Sequence, residues 1–149
     1  MVVVVGLILG ALQKGAHPRR PTEDRPRHRP ALRGIVRQLH AHRQPARLFA
    51  ATAGADVNLT FNNSSNTQQH NWVLVASGTK DDVAVAGLSA SSNGWIPVDD
   101  DRIIAHTELI NAGETGEVQF TAPAAGTYQF VCTFPGHNGT MFGDFVVVP

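Results

Sequence analysis

Hydrophobic and polar residues alternate in short runs along the last two thirds of the chain. In residues 56–61, Val57, Leu59 and Phe61 alternate with polar residues, as in a strand that buries one face. Residues rich in glycine, asparagine, aspartate and proline separate the runs. The pattern predicts six strands, within residues 56–61, 71–76, 102–109, 116–122, 127–132 and 143–148. Short strands joined by polar turns are typical of an antiparallel sandwich or barrel.

Three further features refine this prediction. Residues 81–91, "DDVAVAGLSAS", are the one stretch of this region that favours a short helix or flap. Tyr128 resembles a tyrosine corner, in which the hydroxyl group ties down a loop of a Greek-key sandwich. Trp72 lies inside an apolar strand and is predicted to belong to the core.

The first fifty residues follow a different pattern. Residues 1–12 form an apolar run that is too short to span a bilayer as a helix. The run resembles the hydrophobic part of a signal peptide, although no basic residue precedes it. Residues 18–30 contain four prolines and five arginines, which predicts a solvated linker. Residues 32–39 have the apolar spacing of one short basic helix.

Charge divides the chain at the same place. The net charge of zero combines a formal +8 in residues 1–50 with a formal −8 in residues 51–149. We therefore predict an N-terminal segment, residues 1–50, and one folded domain, residues 51–149. No nucleic-acid-binding motif accompanies the arginines, so we expect no nucleic-acid partner. A basic run of this kind can contact anionic lipid, so membrane association through the N-terminal segment is retained as an alternative.

The single cysteine of the chain lies among other potential metal ligands. Cys132, His137 and Met141 fall within ten residues, "CTFPGHNGTM", on a loop between two predicted strands. One cysteine excludes a disulfide within the chain. For a fourth ligand, residues 51–149 offer His70 and His106. His70 lies where a loop enters a strand and its side chain can project from the end of a sandwich, whereas His106 lies inside a strand and is interpreted as a surface or packing residue.

The chemistry of these ligands indicates copper. Two histidines and a cysteine with a weak axial methionine, here His70, His137, Cys132 and Met141, form the ligand set of a blue-copper site. Zinc would accept the cysteine and histidines, but structural zinc sites seldom include methionine. A Cys–His nucleophile explains neither Met141 nor His70. The remaining alternative is that the cysteine and methionine only fill the core.

The sequence around these ligands resembles the cupredoxins, in particular the azurin and auracyanin group. Three segments carry the resemblance, and it extends over about residues 53–149. They are "QHNWVLV" (69–75), residues 99–120 and residues 128–148. The resemblance implies an all-β, eight-stranded Greek-key sandwich with a short helical flap and one type 1 copper at one end. It also implies electron transfer between Cu(II) and Cu(I) rather than enzymatic chemistry.

The resemblance further assigns roles to residues near the ligands. The backbone carbonyl of Gln69 is expected to approach copper opposite Met141. Asn71 is expected to brace the ligand loop near Thr133. Backbone N–H groups of Asn71 and Phe134 are expected to point at the cysteine sulfur, where such bonds tune potential and rigidity.

An electron port is expected where one ligand reaches the surface. The resemblance implies that His137 presents its ring edge within a patch formed by Phe134, Pro135 and Gly136. His106 matches a surface histidine of azurins that does not bind the metal. Expected partners are a redox donor and acceptor, with the protein as an extracytoplasmic or periplasmic monomer. The alternative functions are copper storage or delivery, or a domain of a larger oxidase.

The N-terminal segment departs from the family. Azurins have a disulfide, which this chain cannot form, and two further N-terminal strands, whose place is taken by the basic residues 33–52. Either those strands are replaced or residues 1–50 come from a wrong start or a shifted frame, and we favour the second interpretation. The strand at residues 56–61 would then lack a neighbour, leaving backbone donors and apolar side chains exposed at an edge.

Overall fold

The computed structural model describes residues 48–149, which form seven strands and one short helix. The strands are β1 (Leu48–Thr52), β2 (Asp56–Asn62), β3 (Val73–Val75), β4 (Ile103–His106), β5 (Thr115–Thr121), β6 (Gly126–Val131) and β7 (Phe142–Val148). Helix α1 (Lys80–Gly87) and a 3-10 turn at Ser91–Asn93 connect β3 to β4. The six predicted strands and the predicted helical flap are therefore confirmed. No helix of residues 48–149 is long and apolar enough to cross a membrane.

The strands form two sheets around a common core. One sheet has the order β1-β7-β6-β3-β4, and the other contains β2 and β5. β1 runs parallel to β7, whereas every other pair is antiparallel. Val57 and Leu59 from the small sheet pack in one cluster with Leu74, Phe130 and Phe145 from the large sheet. Of the two predicted architectures, the sandwich is the one that forms.

The central strand β3 is buried on both faces. Leu74 and Trp72, which directly precedes the strand, belong to the core cluster of the sandwich interior, where Trp72 stacks on Phe130 with ring centroids 5.8 Å apart. Val73 and Val75 belong to a second cluster, beneath the helix. The other members of that cluster are Val83, Ile96 and Val131, with Ile103 packed against them. Because fully burying a valine is worth about 1.5–3 kcal/mol, this second cluster fixes the helical flap on the sheet.

Two sequence predictions about single residues are confirmed in this core. The hydroxyl group of Tyr128 donates to the backbone carbonyl of Ala124 at 2.9 Å, which is the hydrogen bond of a tyrosine corner. Trp72 is 2% exposed. Its Nε1 is buried and has no hydrogen-bond partner within residues 48–149, so apolar packing alone holds the indole.

The structure adds one strand that the sequence pattern did not predict. β1 begins at Leu48, inside the stretch assigned to the N-terminal segment, and pairs in register from Leu48 with Asp144 to Thr52 with Val148. It has five residues, and Leu48 is 58% exposed. Such a short edge strand has little hydrophobic pattern, and its partner lies at the other end of the chain. Pairing with β7 therefore determines this strand.

The expectation for the edge of β2 is wrong in one respect. Within residues 48–149, β2 pairs only with β5, from Asp56 with Thr121 to Asn62 with Thr115. Its apolar side chains are nevertheless not exposed, because Val57, Leu59 and Phe61 are each 2% exposed. They point into the core between the sheets, so any unsatisfied edge consists of backbone groups.

The remaining predictions for the N-terminal segment lie outside the described residues. They concern the signal-like run, the proline-rich linker, the short basic helix and the origin of residues 1–47. Of the eight strands that the resemblance implies, seven lie within residues 48–149.

Candidate metal centre

His70 is fixed just before β3 by a backbone bridge to Ile110. The His70 N–H donates to the Ile110 carbonyl at 3.0 Å, and the Ile110 N–H donates back at 2.7 Å. His70 is buried. The first histidine is therefore attached to the end of the sandwich, as its position between a loop and a strand predicted.

The ligand loop, residues 132–141, folds back on itself between β6 and β7. The Met141 carbonyl accepts the Cys132 N–H at 2.9 Å, which closes the loop at its base. The His137 N–H donates to the Phe134 carbonyl at 3.0 Å, and the Met141 N–H donates to the His137 carbonyl at 2.8 Å. Gly136 has a φ of 81°, a conformation that glycine adopts without steric cost. Local turns thus bring Cys132, His137 and Met141 to one end of the sandwich.

Three potential ligand atoms form a small triangle. The Cys132 Sγ lies 3.8 Å from the Nδ1 of His70 and 3.5 Å from the Nδ1 of His137. The two Nδ1 atoms are 3.1 Å apart. A point equidistant from the three atoms lies roughly 2 Å from each, which matches bonds of about 2.0–2.3 Å from a first-row metal ion to imidazole nitrogen and thiolate sulfur. The triangle has the size of a metal site.

The protonation states of these groups suit metal binding. Burial, and secondarily the nearby His137, lowers the pKa of His70, and burial also lowers the pKa of His137. Both imidazoles are therefore neutral at pH 7, as metal ligands must be. Burial raises the pKa of the Cys132 thiol, and backbone N–H groups of Asn71 and Phe134 oppose part of that shift. A bound metal ion would replace the thiol proton and satisfy two nitrogen atoms that otherwise face each other.

Asn71 connects the three segments that surround this triangle. Its Oδ1 accepts the backbone N–H of Thr133 at 2.8 Å. Its Nδ2 donates to the Thr133 Oγ1 at 2.9 Å and to the Gly94 carbonyl at 3.0 Å. Asn71 and Thr133 are both buried. Asn71 thus ties the His70 strand end to the ligand loop, as the resemblance implied, and also to the turn at Gly94 that follows the flap.

The residues expected to form the electron port differ in their exposure to solvent. Phe134, Pro135 and His137 are half-buried, and Gly136 is exposed. The rings of Phe134 and His137 lie 4.8 Å apart between centroids. Gln69 directly precedes His70, and its side-chain Nε2 donates to the Asn111 Oδ1 at 2.8 Å.

His106 lies apart from the cluster. The group of potential ligands found within residues 48–149 contains His70, Cys132 and His137, and does not include His106. His106 lies on β4, half-buried, with its Nδ1 3.1 Å from the Thr107 carbonyl oxygen.

Sequence reasoning missed several residues that support the centre. Asn63 is fully buried, and its Nδ2 donates to the carbonyls of Gln68, Ile110 and Asn111. Asn63 thereby anchors the loop that leads to His70, and also the segment around Ile110, which pairs with His70. Asn63 occurs in the run "NNSSN", which resembles any polar turn. Only the convergence of three carbonyl groups distinguishes it.

The helical flap is also more closely tied to the ligand loop than its sequence suggested. The Asn138 Nδ2 donates to the Asp81 Oδ1 at 2.9 Å. The rings of Trp95 and Phe134 meet edge to face with centroids 5.9 Å apart. The flap and Trp95, which follows it, therefore contact the loop on both sides of His137.

Together, this sandwich and this set of soft and borderline donors define a copper protein with a cupredoxin fold, in which His70, Cys132, His137 and Met141 form a type 1 copper-like site. Comparison with known proteins identifies the family. The sequence profile of the copper binding proteins of the plastocyanin/azurin family matches residues 46–148. The chain belongs to this family.

Individual relatives agree with that assignment. Auracyanin-A of Chloroflexus aurantiacus is 50% identical over 102 residues, which cover 66% of this chain and 63% of the relative. An azurin of Pseudomonas chlororaphis is 39% identical over 97 residues, covering 61% of this chain and 76% of that protein. The crystal structure of dithionite-reduced auracyanin from Roseiflexus castenholzii superposes with a TM-score of 0.66 at 38% identity, covering 68% and 84%. The chain thus spans less than two thirds of Auracyanin-A.

Proposed function

We propose that this protein is a mononuclear blue-copper electron carrier. The observation that supports this proposal is the triangle of Cys132 and two imidazole nitrogens, already assembled at metal-binding distances. Copper bound there would supply a one-electron Cu(II)/Cu(I) couple. The chain itself holds the donors in place, so that little has to move when an electron arrives or leaves.

The frame of the site explains how the chain restricts such movement. His70 is locked by two backbone hydrogen bonds, and Cys132 by the bond from its N–H to Met141. Asn71 joins both segments. Burial of His70 and Cys132 keeps water from adding as a further ligand. Met141 would supply a weak thioether donor to the metal.

We also propose roles for the backbone groups near the metal. The Gln69 carbonyl would be a further weak donor to copper, in addition to Met141. The N–H groups of Asn71 and Phe134 would donate to the Cys132 thiolate, a role supported by their effect on the pKa of that thiol. Such donors stabilise charge on sulfur and therefore tune the reduction potential.

Electrons would enter and leave through the exposed edge of the site. His137 is half-buried and has Phe134, Pro135 and Gly136 beside it, so a partner can approach one ligand without displacing it. The partners would be redox proteins, with the carrier itself a monomer that performs no substrate chemistry. The −8 charge of residues 51–149 favours encounter with a basic surface. The similarity to auracyanin and azurin supports an extracytoplasmic, periplasmic location.

Titration of the metal-free full chain with Cu(II) tests this function directly. We expect one equivalent to produce an intense visible thiolate-to-copper band and narrow copper hyperfine splitting. Cys132→Ser serves as the matched control and should give no such band, because a serine hydroxyl group does not ionise as a thiol does. A folded wild-type protein that remains colourless with copper would contradict the proposal.

Electron exchange then separates a carrier from a copper store. Mixing the oxidised and reduced forms should broaden the NMR signals of residues near His137 if exchange between molecules is fast. A blue protein with slow exchange would favour storage or delivery instead.

A further inference from the structure

Trp95 has an unusual backbone conformation close to the metal centre. Its φ is 66°, and it is the one non-glycine residue with a positive φ in residues 48–149. This left-handed conformation is disfavoured for a bulky side chain, whereas glycine adopts it freely. Strained residues persist when their surroundings determine them, and they are common at functional sites. The indole at position 95 is therefore expected to have a role that glycine could not fill.

The backbone of Trp95 is held from several directions. Its N–H donates to the Ala90 carbonyl at 2.9 Å. The carbonyl of the preceding Gly94 accepts a hydrogen bond from the Asn71 side chain. A Cβ atom on Gly87, the last residue of α1, would collide with the Trp95 carbonyl oxygen. The helix end and Asn71 therefore fix the place from which the indole projects.

The indole projects onto the ligand loop. Its ring meets the Phe134 ring at 70° with centroids 5.9 Å apart, and the Phe134 ring lies 4.8 Å from the His137 ring at 33°. Both distances lie within the range of attractive aromatic pairs. A continuous row of rings thus leads from the flap to a proposed copper ligand.

Within residues 48–149, His137 makes no hydrogen bond of the kind that usually orients a metal-binding histidine. Such a residue commonly donates a hydrogen bond from its second ring nitrogen to a carboxylate, a backbone carbonyl or water. The Nδ1 of His137 faces the Nδ1 of His70 and the Cys132 Sγ, and within residues 48–149 no hydrogen-bond partner is found for its Nε2. Ring packing is therefore the protein contact that can fix the tilt of the imidazole, with Phe134 on one side at 4.8 Å and His70 at 4.7 Å between centroids.

We propose that Trp95 is a positioning residue for His137. Its indole supports Phe134 against the imidazole ring, and the strained backbone is retained because it directs the indole there. The role rests on the proposed function only in that His137 binds copper. It differs from the electron port, because Trp95 acts through Phe134 and not by contact with the metal.

Three substitutions test this role. Trp95→Gly suits the left-handed backbone but removes the ring, Trp95→Phe restores a ring, and Val98→Ala changes an exposed residue of the same loop, 53% exposed, as a control. In the metal-free full chain, NMR cross-relaxation between the Phe134 and His137 rings should be lost in Trp95→Gly and kept in the other two. With copper, Trp95→Gly should bind about two- to tenfold more weakly, the equivalent of one aromatic pair, and show altered hyperfine splitting.

The outcomes distinguish an indole that positions His137 from a residue that only maintains the local turn. An intact Phe134–His137 contact in Trp95→Gly would overturn the proposal, as would copper affinity equal to that of the wild type. If Trp95→Gly does not fold, Trp95→Leu replaces it, since leucine keeps apolar bulk without a ring. Equal behaviour of the Leu and Phe variants would then refute the role. A wild-type protein without a blue band refutes the proposed function, while the metal-free ring contact still decides this inference.

Discussion

Replacing Asn71 by alanine should destabilise the metal-free protein markedly. Asn71 is 1% exposed, and its side chain makes three hydrogen bonds, with the Thr133 N–H, the Thr133 hydroxyl group and the Gly94 carbonyl. Alanine would leave the buried Thr133 N–H without its acceptor, at a cost of about 1–3 kcal/mol. Gly94 is half-buried, so the loss of the bond to its carbonyl adds about 0–1 kcal/mol. The expected total is about 1–4 kcal/mol, a large part of the ~5–15 kcal/mol typical of a domain.

Urea denaturation of the metal-free full chain measures this loss. The transition midpoint should fall while the dependence on urea concentration stays the same, because the surface exposed on unfolding is unchanged. Asn58→Ala is the matched control, since Asn58 is half-buried on β2, and it should change stability by no more than about 0.5 kcal/mol. A loss below about 1 kcal/mol for Asn71→Ala would show that these bonds do not hold the two loops together.

Three further predictions concern the axial ligand, acid stability and the N-terminal segment. Met141→Leu should keep the blue colour and raise the reduction potential, because loss of a weak axial donor disfavours Cu(II) more than Cu(I). His106→Ala should change neither the colour nor the potential. Loss of the copper spectrum in His106→Ala would mean that the wrong histidine was assigned. Hydrogen bonds from Arg102 lower the pKa of Asp100 from 3.8 to about 2. The ionised Asp100 therefore stabilises the folded state fully above pH 4, and this stabilisation is lost as the pH falls towards 2. In Arg102→Gln, acid unfolding curves should lose that pH dependence, and an unchanged curve would refute the pairing. Trypsin should cleave at arginines before residue 48 sooner than at Lys80 or Arg102, leaving a stable fragment that mass spectrometry identifies, whereas equal protection would show that the segment is built into the fold.

The sequence alone determined the chemistry of the site to a large extent. Cys132, His137 and Met141 lie within ten residues, so local turns are sufficient to bring them together. Apolar and polar residues alternate in β2, whereas β3 is apolar on both faces. These patterns also determined which residues enter the core, because successive side chains of a strand point to opposite faces. His70 could be preferred over His106 because a ligand must project from the end of a sandwich rather than from within a strand.

Tertiary structure decided the contacts between segments that are distant in the chain. β1 is a strand because β7 pairs with it, and five weakly patterned residues do not encode that partner. Asn63 and Asn71 acquire their importance from carbonyl and N–H groups supplied by other loops. Trp95 meets Phe134 only because the tertiary fold brings the segment after α1 against the ligand loop. Ligand type is a property of the residue itself, whereas ligand geometry and support depend on which surfaces the whole chain brings together, and no local pattern contains that information.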